Sequence, residues 1–269
     1  MRTRRLTGVS LGFLAAVALA ISGCSSDSDT ATPGTGSSAG TPSAPASSGA
    51  ADPAAAAALG TAAAALGNTS FKITMTSGPG LKVTGQMDAP NGKGNADIVI
   101  TGTNAQLTVK TLLVDQDLYV QVPGVTKPGT WTHLDVARLP EGANVGLRPG
   151  QIDPANTAQL LAATTDVQSV DPLSYKGTLD LTKVAGLTGL NKVTIESYGS
   201  AAQDVPFTAG LDDQGRLSAL TIQLPAANGG QAQPLEILYT DYGLPVTSER
   251  PAASQIIEAP DSIYTTLGG

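Results

Sequence analysis

Ten stretches of this 269-residue chain alternate apolar and polar residues, and that period constrains the fold more than any other feature. In TSFKITMT, Phe71, Ile73 and Met75 alternate with Lys72, Thr74 and Thr76. LKVTGQMD repeats the pattern with Leu81, Val83 and Met87. Ile98 and Ile100 follow in NADIVITG, then Leu107, Val109 and Leu113 in AQLTVKTLLV, then Leu118, Val120 and Val122 in DLYVQVP. Successive side chains of a strand point to opposite sides, so each run presents one apolar face and one wet face. Turn formers separate the runs: Gly78-Pro79-Gly80, Asn91-Gly92 and Asp115-Gln116-Asp117. After a break, SYKGTLDL, KVTIESYG, VPFTAGLD, RLSALTIQLP and LEILYTDYG read as five more strands, with Asp212 to Gly215 as a hairpin loop. About ten consecutive antiparallel strands make a large, curved sheet whose single apolar face must be covered.

Few segments are available to cover it. ADPAAAAALGTAAAALG predicts a helix with Asp52 as N-cap, Pro53 at its first position, Gly67 in the left-handed conformation beyond its end, and Leu59, Ala63 and Leu66 on one face. A second, short helix is expected in ANTAQLLAAT, with Asp153 as N-cap and Pro154 at its first position. His133 is expected as a polar residue near a helix start. The fold class that follows is α+β. Aromatic residues are only 4% of the chain, with one Trp and three Phe, so the core must be built from Ala, Val, Leu and Ile.

The first fifty residues follow different rules. Arg2, Arg4 and Arg5 precede an apolar run of about a dozen residues, the charged and hydrophobic parts of a secretory signal and too short for a comfortable membrane span. Cys24, the only cysteine, has no partner for an internal disulfide. Ile21-Ser22-Gly23-Cys24 reads instead as a bacterial lipobox, with residues 1–23 as the signal peptide and Cys24 as the acylated N-terminus. The competing reading is an uncleaved anchor with an incidental cysteine. Two acyl chains, at about 0.8 kcal/mol per buried CH₂, hold a domain on a membrane durably. Residues 24–51 are Ser, Thr, Gly, Pro, Ala and a few Asp, a composition that cannot offset the entropy of ordering. Such a flexible tether reaches on the order of 30 Å. Residues 52–269 are then one folded domain.

Charge and motifs exclude several functions. The net charge is −7, and loss of Arg2, Arg4 and Arg5 with an acid-free signal makes the remainder more negative still, which argues against nucleic acid as a partner. There is no G-x-S-x-G elbow, and His133 is the only histidine. A Ser-His-Asp site stays open in principle because spatial neighbours are not readable from sequence, but the expectation is a protein that is not an enzyme. One histidine, one cysteine and carboxylates placed where turns need Asp give no metal site, and no cofactor is expected.

LLVDQDLYVQVPGV and WTHLDVARL within residues 112–139, IDPANTAQLLAAT at 152–164, and SYKGTLDLTKVAGL at 174–187 carry a resemblance. Together with the lipobox and tether, they resemble the actinobacterial LppX/LprA/LprF/LprG lipoproteins, similar in fold to the periplasmic carriers LolA and LolB. The resemblance implies a half-barrel sheet whose helices cover its concave face and enclose an apolar cavity for the acyl chains of a lipid or glycolipid. It also implies a place on the outer face of the bacterial cell membrane and a membrane exporter as a partner. The expected cavity wall is Phe71, Ile73, Met75, Leu81, Val83, Ile98, Ile100, Leu107, Val109, Leu118, Val120 and Val122. The Gly- and Pro-rich segment 140–154 is the expected mobile entrance. The alternative from another class is a structural or partner-binding lipoprotein, in which the same residues are ordinary solid core.

Overall fold

The computed structural model describes residues 51–102, 105–124, 126–139, 147, 152–184, 192–227 and 230–267. Cys24, the expected signal peptide and the expected tether before Ala51 lie outside the described residues, as does most of the segment expected to form an entrance.

Twelve strands form one open, curved sheet. In chain order they are β1 (Ser70–Ser77), β2 (Leu81–Asp88), β3 (Lys93–Thr101), β4 (Gln106–Val114), β5 (Asp117–Gln121), β6 (Trp131–Asp135), β7 (Thr164–Asp171), β8 (Ser174–Leu179), β9 (Val205–Leu211), β10 (Leu217–Leu224), β11 (Gln233–Thr240) and β12 (Ile256–Glu258). The spatial order is β12-β6-β5-β4-β3-β2-β1-β11-β10-β9-β8-β7. Two antiparallel meanders, β1 to β6 and β7 to β11, meet where β1 pairs with β11. The short β12 adds to β6 in parallel, so the sheet is mixed where a purely antiparallel one was expected.

Nine of the ten expected runs are strands, and three strands, β6, β7 and β12, lie outside those runs. β7 reads TTDVQSVD and buries only Val167. It is an edge strand carrying two acids and two register irregularities, devices that keep a free edge from pairing with another chain. β12 is three residues held by a neighbour, too short for a period to show. β6 also lay outside the expected runs: Trp131 to Asp135 is a strand, and His133 sits on it before a single 3-10 turn at Val136–Arg138. In the other direction, KVTIESYG is not a strand. Lys192–Ser197 is a short helix that buries Ile195 and leaves Val193 72% exposed, so its apparent alternation has only one buried member.

The helices are few. α1 (Pro53–Ala65) starts as expected, with the Asp52 carboxylate accepting from the Ala54 and Ala55 amides. It buries Ala55, Leu59, Ala62 and Ala63 and contacts β7 and β10. Its end differs from expectation: the chain tightens into a 3-10 turn over Leu66–Asn68, and Gly67 does not adopt a positive φ. α2 is Thr157–Ala162, shorter than expected. Asn156 in the left-handed conformation precedes it, and Asp153 caps the preceding turn by accepting from the Ala155 and Thr157 amides. α3 is Lys192–Ser197 and α4 is Asp261–Leu267. No helix among the described residues is long and apolar enough to cross a membrane.

Candidate functional site

The strand register arranges the apolar face in rows, because residues paired directly across strands point to the same side. Phe71, Met87, Gly94, Leu113, Leu118 and Leu134 form the row nearest the end of the sheet where α1 leads into β1. All are buried. Leu139, Leu147, Ile152, Ala259 and Tyr264 belong to the same core. A Cβ on Gly94 would lie 3.5 Å from Ile152 Cγ2, in ordinary contact, and 3.0 Å from the Met87 sulfur, so Ile152 packs directly over the Gly94 backbone.

Among the described residues, coverage thins toward the opposite end, on one half of the sheet only. The next row, Ile73, Gly85, Ala96, Thr111, Val120 and Thr132, is buried as far as Thr111 and half-buried at Val120 and Thr132. In the third row Met75 and Val83 are buried, whereas Ile98 and Val109 are half-buried. In the fourth, Leu81 and Leu107 are half-buried and Ile100 is 45% exposed. Val122 continues the β5 alternation and is half-buried too. The uncovered strip crosses β2 to β5, about 14 Å over three strand spacings.

The expected cavity-wall residues therefore fall into two groups. Phe71, Ile73, Met75, Val83 and Leu118 sit in packed core. Leu81, Ile98, Ile100, Leu107, Val109, Val120 and Val122 share the partly uncovered strip. Alternation identifies the face but carries no information on what lies above it, so the sequence alone could not divide them.

A pocket of about 200 Å³ lies at the α1 end, lined by residues 63–64 and 66–67, Ala89, and residues 152–153 and 156–159. Asp153 faces it. Burial raises the Asp153 carboxyl above its ordinary pKa, opposed by the Thr157 and Ala155 amides and the Thr157 and Tyr239 hydroxyls. Tyr239 Oη donates to Asp153 Oδ2 at 3.1 Å and also bonds Thr157 Oγ1. Burial, then the Asp153 charge, hold the Tyr239 phenol well above its usual pKa. With its lone pairs turned to its own backbone and to Tyr239, Asp153 ties α2 to β11.

The opposite, outward side of β5 and β6 carries a polar cluster that sequence reasoning missed. Tyr119 and His133 are paired across the strands and stack at 5.1 Å between centroids. His133 Nε2 lies 2.8 Å from Asp117 Oδ1 and Nδ1 lies 2.7 Å from Glu258 Oε2. Arg250 donates to Asp117 at 2.9 Å and to the Tyr119 hydroxyl at 2.5 Å. The only signal available was the D-x-Y spacing of β5 beside T-H-L in β6, and the partners 125 residues away have none. No group of three or more His, Cys, Asp or Glu among the described residues is placed to hold a metal ion.

Compared with known proteins, the chain matches no family model and no curated protein.

Proposed function

We propose that this chain is an envelope lipoprotein, anchored through Cys24 to the outer face of the cell membrane, that holds the acyl chain of a lipid or glycolipid against the uncovered strip of its sheet. The observation that carries the reading is the strip itself: Leu81, Ile98, Ile100, Leu107 and Val109 continue the core's apolar face beyond the cover that the described residues provide. A long, narrow apolar strip suits an extended hydrocarbon chain, and each methylene removed from water on it is worth about 0.8 kcal/mol. Curvature of the sheet into a half-barrel, with the helices on its concave side, would enclose that chain. The lipobox, tether and resemblance supply the location and an exporter as partner. The protein works without cofactor or catalysis, so it exchanges lipid down a gradient of affinity.

The test is transfer of a fluorescent acyl lipid between donor and acceptor liposomes by residues 48–269, together with native mass spectrometry of the purified domain. Transfer above the blank and a copurifying lipid are expected. Transfer no faster than the blank for glycolipid, phospholipid and triacylglycerol alike would move the assignment to a partner-binding lipoprotein, which would use the same strip to dock a protein.

A further inference from the structure

We infer that residues 250–267 form a strap latched by one proton: His133, carrying both ring protons, fastens β12 to β5 across the face of β6, and loss of that proton loosens the strap. The geometry requires the charged ring. Both nitrogens face carboxylate oxygens, Nε2 toward Asp117 at 2.8 Å and Nδ1 toward Glu258 at 2.7 Å. Neutral imidazole has one N–H and one lone pair, so it would leave a lone pair against a carboxylate. The imidazolium satisfies both.

The charged groups around the ring come from every element packed there. β5 supplies Asp117 and Tyr119, the strap Arg250, and β12 Glu258, while Asp135 lies two residues along β6. Arg250 balances Asp117, so His133 is the cation left for Glu258. With the proton the four ionic groups sum to zero; without it a net negative charge stays between β5 and β12. Burial works against protonation of His133, but the hydrogen bonds and charges of Glu258 and Asp117 outweigh it, and the ring's pKa lies above the ordinary 6.5.

The chain before the strap is held separately, the Gly243 amide donating to the Ser70 carbonyl at 2.8 Å, the Ser70 hydroxyl to the Leu244 carbonyl at 2.6 Å and the Tyr242 hydroxyl to the Leu217 carbonyl. The strap itself has further attachments. β12 pairs with β6 over three residues, the Ala259 amide donates to the His133 carbonyl at 3.0 Å, and the Asp135 amide donates to the Tyr264 hydroxyl at 2.9 Å. Arg138 pairs with Asp261 at 2.6 Å and lies over the Tyr264 ring. Ala259 and Tyr264 are buried in the core, so release bares the β6 edge of the apolar face. A histidine whose pKa is raised on docking contributes fully below its free value and loses that contribution as the pH rises through the raised one. The strap is therefore closed in acid and loosens above about pH 6.5, the reference value for a free histidine.

His133 is the only histidine, so its ring proton titrates alone in an NMR spectrum of tag-free protein. A midpoint above 6.5 is expected. Hydrogen exchange of residues 253–267, corrected for intrinsic rates, should rise across the same interval, by about tenfold for each unit separating the docked and free pKa. Glu258→Gln, at an exposed edge position, should keep the fold and flatten that rise, and His133→Gln should abolish it. A midpoint at or below 6.5, or the same rise in Glu258→Gln as in the wild type, would overturn the latch.

Discussion

The two meanders obey the same alternating rule and end in different states. Follow one row across the seam: Phe207, Ile222 and Leu235 are at most 3% exposed, while Leu81, Ile100 and Leu107, their continuation on the other side, are half-buried to 45% exposed. What differs is the material above. Over β7 to β11 lies α1, in contact with β7 and β10, and Leu160 and Leu161 of α2, Leu181, Val184, Ile195 of α3 and Ala202 belong to the same core. Over the far end of β2 to β5 no such set packs down among the described residues. A strand pattern thus specifies which side is apolar, and the cover decides whether that side is solid core or partly exposed.

The largest test of this contrast is Phe207→Ala beside Leu107→Ala, two residues of the same row. The first should cost about 3–5 kcal/mol of unfolding free energy in urea titration. The second should cost well under the about 2 kcal/mol that opens the range for a packed leucine. Equal losses would mean that the strip is as solidly packed as the other half. Tryptophan insertion sharpens the same point. Val83→Trp overpacks core and should destabilise by about 1–3 kcal/mol, whereas Val109→Trp should leave the melting temperature nearly unchanged and exclude bound lipid.

Gly177→Ala probes the covered half from its edge. A Cβ there would sit 1.7 Å from the Asp166 carbonyl oxygen and 2.8 Å from Phe207 Cε1, so backbone must move. The expected cost is again about 1–3 kcal/mol, with hydrogen-exchange protection lost first in β7 and β8. Asp52→Ala removes the N-cap of α1, which packs on β7 and β10. A loss of about 1 kcal/mol is expected, felt as faster exchange in β7 and not in β3 or β4. The smallest effect belongs to Ile100→Ser, within about 0.5 kcal/mol of wild type as for an ordinary surface position. Its readout is reduced acyl-lipid retention at unchanged stability.

Most of this architecture was legible because the signals are local. β2 coincides with LKVTGQMD, and the β9, β10 and β11 runs lie where their alternation put them. Asp52 capped the helix it announced. What escaped depends on distant neighbours. β7 needs one apolar residue because one neighbour suffices at an edge, β12 exists only because β6 offers a partner, and Val193 with Ile195 imitates a strand that nothing pairs with. The strip was legible as apolar residues, but its exposure was not, since alternation says nothing of why Ile100 is 45% exposed. The place of His133 in a polar cluster is not readable in sequence because Glu258 reaches it, and Arg250 reaches its neighbours Asp117 and Tyr119, only after the chain has crossed from β11 to the far edge.

The seam between the meanders also sets the order in which the molecule can assemble. Within each meander successive strands are close in sequence and can zip as hairpins, but Thr76 and Glu236 on β1 and β11 are 160 residues apart. Closing so long a loop is slow, and contacts of this range dominate folding times in sheet proteins. Until β11 arrives, β1 is an open edge in the middle of the final sheet, with Phe71, Ile73 and Met75 beside unpaired backbone. A half-made chain of this kind is sticky in a way the finished one is not, and the last strand to reach β1 removes its largest exposed edge.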